Sequence, residues 1–198
     1  MLLPAQIENN FREFGDKLFT YPFSKYLKDT GRTLFGLIVD EEAGKFEKLF
    51  GPVTAHDLEL FNAHFHANLS GYKVDAKSFF KELSAEADVF LLSKIYQLPD
   101  FNPSHVDGLI IHELCHWYIE ADLLKAHPMV PSLPDRVLAK NIYQQTPREL
   151  ESETQHSLEF CELVCAVSSR AAKAFPRFKD SKEVVTLAMQ YSIMNDAA

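Results

Sequence analysis

Residues 108–120 read GLIIHELCHWYIE, an apolar run interrupted by His112, Glu113 and His116. The flanking residues point to a helix: Ser104 with Asp107 three positions on is close to a capping box, and Pro128 stops the far end. The pattern therefore predicts a helix from about His105 to Ala126. At about 100° per residue, His105, Gly108, Leu109, His112, Glu113, His116, Ile119 and Leu123 share one face. Ile110, Ile111, Leu114, Trp117, Tyr118 and Ala121 cover the rest, so the helix is apolar all round and is expected to be central and buried. Burying two imidazoles and a carboxylate is costly unless each finds a partner, and a metal ion is the obvious candidate.

Histidines at i and i+4 turn their rings to one point, and the glutamate at i+1 lies beside them, where it can accept a proton from water activated by the ion. His112 and His116 are thus the candidate ligands and Glu113 the candidate catalytic base. Two histidines leave the ion short of a protein ligand. Glu120 shares their face, but its Cα lies about 12 Å along the axis from that of His112, so a second helix has to supply the carboxylate.

That second helix is announced by TPRE at 146–149. Thr146 is the cap, Pro147 takes the first helical position and Glu149 closes the box; the pattern then carries the helix through to about Ala174. Its apolar stripe runs through Leu150, Ser157, Phe160, Cys161, Val164, Cys165 and Ala171. Among Glu149, Glu151, Glu153, Glu159 and Glu162, the glutamate nearest that stripe is Glu153, the candidate third ligand, with Glu149 as the fallback. His105, His127 and His156 are lone histidines near the site in sequence. Of these His156, one turn after Glu153, is the candidate for supporting the ligands from behind.

These residues resemble the zincin-type metallopeptidases, in particular the gluzincins, in which an HExxH helix supplies two histidines and a later helix a glutamate. The resemblance covers Gly108 to about Ser168. It implies a compact fold with the active-site helix under a small sheet, zinc held by His112, His116 and Glu153, and hydrolysis with Glu113 as general base. The chain departs from it at Ser157, where many gluzincins carry an acidic residue four positions after the third ligand. A fainter similarity, to the elongation factor P hydroxylases, rests on HELCHW at 112–117, on LELFNAHFHANL at 58–69 and on the glutamate-bearing helix; the first fifty or so residues fall outside it. That family implies Fe(II) and oxygen chemistry on a protein side chain. A third class is a non-catalytic scaffold stapled by the metal.

The rest of the chain bounds these readings. Its 198 residues, 46% hydrophobic with sixteen Phe and seven Tyr, are enough for one domain over residues 1–198, with residues 1–50 as an N-terminal extension packed on it if they stand apart. A formal charge of −8 argues against nucleic acid as a partner; a peptide or protein substrate is what the resemblance implies. The opening MLLPAQIENNF has no basic region followed by an apolar run, which predicts neither signal peptide nor membrane span and a cytoplasmic chain. Cys115, Cys161 and Cys165, an odd number, fit a reducing compartment and read as small buried residues.

Further elements follow from periodicity: helices over Pro4–Lys17, Ala55–Ala67 and Lys77–Ser84, strands at RTLFGLIVD (32–40) and ADVFLLSKIYQ (87–97), a proline-rich loop HPMVPSLPD (127–135), a short helix RVLAKNIYQQ (136–145) and a last helix starting after Ser181. The expected class is α+β, mostly helical and zincin-like, with a buried HExxH helix on a small sheet.

Overall fold

A computed structural model describes residues 2–68, 87–145 and 156–196. The described elements, in chain order, are α1 (Pro4–Lys17), α2 (Phe23–Thr30), β1 (Thr33–Asp40), β2 (Lys45–Phe50), α3 (Ala55–Asn68), β3 (Ala87–Ser93), a 3₁₀ turn (Lys94–Gln97), α4 (Pro103–Glu120), α5 (Leu133–Gln145), α6 (Leu158–Ala174) and α7 (Ser181–Asp196). The class is α+β and mostly helical, as expected from the sequence. The helix expected at Lys77–Ser84 lies outside the described residues. By contact the chain divides into two compact units, Met1–Asn9 with Lys25–Phe101, and Asn10–Ser24 with Asn102–Ala198.

The first unit holds the sheet, ordered β2-β1-β3. The central strand β1 runs antiparallel to β2 and parallel to β3. β1 is buried along most of its length, which suits a strand whose interior residues, apart from Gly36, are Leu, Phe, Ile and Val. A parallel return needs a crossover, and α3 lies within it. Thr54 Oγ1 accepts from Asp57 N at 3.1 Å while Asp57 Oδ2 accepts from Thr54 N at 2.9 Å, a reciprocal box that starts α3. Phe61 of that helix then joins Phe35, Leu37, Phe46, Val53 and Ala87 in the core. The run expected as one strand over 87–97 stops at Ser93 and tightens into the 3₁₀ turn.

In the second unit α4 is the central element, packed against α6 and α7, and α5 lies against α6. Ile110, Ile111, Leu114, Cys115 and Tyr118, which point in different directions around α4, are all fully buried. The helix begins earlier and ends sooner than its sequence pattern predicts. Asn102 is the N-cap, its side chain accepting from Ser104 N at 3.1 Å with Pro103 in the first turn; the Asn-Pro pair therefore outcompetes the Ser104 box. At the far end Ala121 caps and Asp122 adopts φ 55°, after which the Tyr118 hydroxyl donates to the His127 carbonyl at 2.6 Å and ties down the proline-rich loop.

No described helix is long and apolar enough to cross a membrane.

Candidate metal centre

Three imidazoles meet where α4 passes the start of α6. His112 and His116 come from α4, one turn apart, and His156 stands just before Ser157, the N-cap of α6. Their Nε2 atoms lie 3.1 Å (His112 to His116), 3.2 Å (His112 to His156) and 3.3 Å (His116 to His156) apart. His112 is buried; His116 and His156 are half-buried.

The proton on His112 can be placed by elimination. Its Nδ1 is 2.8 Å from the Ala188 carbonyl on α7, and a carbonyl only accepts, so Nδ1 carries the hydrogen. Burial holds the ring's pKa down to about 3, with His156 beside it acting in the same direction and the bond to Ala188 opposing. The ring is therefore neutral at ordinary pH and its Nε2 presents a bare lone pair to the other two nitrogens.

Three ring nitrogens at these spacings cannot all hydrogen-bond to one another. Each offers one in-plane position, either an N–H or a lone pair, so in every tautomer at least one of the three contacts sets N–H against N–H or lone pair against lone pair. A cation resolves this, because all three lone pairs can point at it. The spacing also fits: three nitrogens bound to zinc at about 2.0–2.1 Å in tetrahedral geometry sit about 3.3 Å from one another. The three histidines can hold a metal ion, and the Nδ1–H to carbonyl bond on His112 is the usual way such a ligand is fixed in its tautomer.

Phe160 forms the floor. The His116 ring stacks on it with centroids 4.3 Å apart and planes 23° from parallel, while His112 and His156 meet it edge-on, each at 5.1 Å. Phe160 N donates to Ser157 Oγ at 3.2 Å, so the hydrogen bond that starts α6 also fixes the aromatic ring and the histidine on either side of that cap.

The sequence placed His112 and His116 together, and the structure does the same. Glu113 follows on α4, half-buried, and its carboxylate is not one of the three converging donors. Glu153 and Glu149, the expected third ligand and its fallback, lie outside the described residues, as does Glu151. The single helix expected from Thr146 to Ala174 does not run through His156: there the chain bends, and α6 starts at Leu158. That break brings His156, expected only as a supporting group, in among the converging nitrogens. The available signal was Ser157 at the head of the stripe Phe160, Cys161, Val164 and Cys165, a cap residue rather than a stripe member. Of the other lone histidines, His127 packs on Tyr21 at 4.6 Å and, like His105, lies outside the cluster.

All three cysteines are buried and free. Burial pushes the thiols of Cys161 and Cys165 up to about 12 and that of Cys115 well above its usual value, so they behave as apolar packing groups.

No family model matches the chain, and no curated protein or solved structure does either.

Proposed function

We propose that the protein is a metal-dependent hydrolase, a zinc metallopeptidase, with the ion on His112, His116 and His156 and with Glu113 as proton acceptor. The observation that carries this reading is the set of three Nε2 atoms 3.1–3.3 Å apart, the edge length of a tetrahedral three-histidine site. Three protein donors plus an open position is the ligand count of catalytic rather than structural zinc sites; when bound, the ion supplies Lewis-acid polarisation of a carbonyl and a lowered pKa for water. The likeness to zincins, a finer reading than the mostly helical α+β class, rests on the HExxH helix.

The chain's own residues do the remaining work. His112, neutral and hydrogen-bonded to Ala188, keeps its lone pair aimed at the site. Glu113 is rotated about 100° from His112 around the helix, which sets its carboxylate beside the ligand cluster rather than in it. From there it takes the proton of the attacking water and returns it to the leaving amine. His116 and His156, half-buried where His112 is buried, mark the flank from which a peptide carbonyl approaches.

The test is a peptide-library digest with zinc-loaded and Fe(II)-loaded protein, wild type beside Glu113→Gln. Cleavage by zinc-loaded wild type, reduced about 10²–10⁴-fold in a Glu113→Gln variant that still holds its metal, is the expected result. A gain of one oxygen on a protein substrate in the iron arm would replace the reading with a hydroxylase. Retained metal with no turnover in either arm would make the site a structural staple.

A further inference from the structure

Gly108 lies one turn before His112 on α4, and its missing side chain is filled by the backbone of α7. A Cβ built there would sit 2.5 Å from the Leu187 carbonyl carbon, closer still to its oxygen, and 2.8 Å from Leu187 Cβ. Atoms that close are in steric conflict, so no residue larger than glycine lets the two helices approach this far. The next residue on α7, fully buried Ala188, is the one whose carbonyl takes the His112 Nδ1 proton at 2.8 Å. A mid-helix carbonyl already serves its own helix, and it reaches a side chain on a neighbouring helix only if the two backbones are nearly in contact.

We infer that Gly108 and α7 together position the first ligand: the glycine admits the α7 backbone, and the Ala188 carbonyl locks the His112 ring in the tautomer whose Nε2 carries the lone pair a metal would take. The inference deepens the metal reading and rests on it. Gly108 and Ala188 are positioning residues that touch neither ion nor substrate. Their effect passes through the tautomer: a ring free to move its proton to Nε2 would present N–H where a lone pair is needed. Alanine is a better helix former than glycine, so local propensity favours Gly108→Ala and any loss reports the contact with α7.

The test uses ¹⁵N-detected histidine tautomers in metal-free protein together with zinc titration. Wild type is expected to show a slowly exchanging proton on His112 Nδ1 and a bare Nε2. Gly108→Ala is expected to lose that signature and to bind zinc about 10–100-fold more weakly, the range found when a group behind a metal ligand is removed. Val167→Ala, a core truncation about two turns beyond Phe160 on α6, should lower the melting temperature yet keep both tautomer and affinity. The proposal is overturned if wild-type His112 carries its proton on Nε2, if Gly108→Ala leaves tautomer and affinity unchanged, or if Val167→Ala weakens zinc as much. Should Gly108→Ala fail to fold, the wild-type tautomer still decides. The tautomer is read without metal, so the correct signature in a protein that binds no zinc would sink the metal reading and leave the helix contact standing.

Discussion

The His116 imidazole lies on the Phe160 ring with centroids 4.3 Å apart and planes 23° from parallel. A half-buried ligand has rotamers to lose on binding an ion, and a fully buried aromatic floor removes them beforehand. Phe160→Leu is expected to cost about 1–2 kcal/mol of stability, because the smaller side chain leaves part of the ring's buried space unfilled. It should also weaken zinc by up to about tenfold, the equivalent of one aromatic pair. Thermal unfolding and a competitive zinc titration measure the two; an unchanged affinity would show that the floor packs the core without ordering the ligand.

Ser157 links helix start and site. Ser157→Ala should cost about 1 kcal/mol as a lost cap, with Ser157→Asp restoring most of it. Because His156 is the adjacent residue, the alanine variant should also bind zinc more weakly than the aspartate variant. Urea unfolding and zinc titration of the three proteins decide this, and identical affinities would mean that the bend at His156 is held without the cap.

Much of this was legible in the sequence because the strongest signals are local. HELCH carries its own spacing, α1 runs over Pro4–Lys17 as its apolar period predicts, and the last helix starts at Ser181. What escaped was set by competition or by small size. α2 is eight residues of mostly polar FSKYLKDT, and β2 is six residues paired to β1 through a turn in which Gly44 takes φ 63°. At Ser157 a cap was read as a stripe residue because the TPRE box upstream is a stronger start signal, and only tertiary structure shows that the chain bends at His156. The role of His156 followed from that bend, since a histidine's spacing to HExxH across forty residues has no periodic signature.

Asp107, on α4 five residues before His112, gives a pH prediction. Arg177 Nε donates to it at 3.0 Å and Asn10 Nδ2 at 3.3 Å, yet burial outweighs both partners and raises its pKa above 3.8. An acid raised in the folded state keeps its proton longer there than in the unfolded chain. Its contribution to stability is therefore complete below 3.8 and is lost as pH rises through the raised value. Asp107→Asn, which keeps one of the two acceptor oxygens and carries no charge, should gain stability relative to wild type as pH rises from 3.5 to 8. That gain should close as pH falls below the ordinary carboxylate range. Urea unfolding across that pH range tests it; a variant that instead loses stability relative to wild type as pH rises would mean that the Arg177 pair outweighs burial.

The account stands on the third donor. The most direct measurement is a zinc titration of metal-free protein for wild type, His112→Ala, His156→Ala and Glu153→Ala, read as stoichiometry and affinity. The predicted result is one zinc per wild-type chain and a loss of more than about 100-fold in both histidine variants, exceeding what removal of a group behind a ligand costs, with Glu153→Ala close to wild type. Wild-type affinity in His156→Ala, with the loss appearing in Glu153→Ala instead, would contradict it.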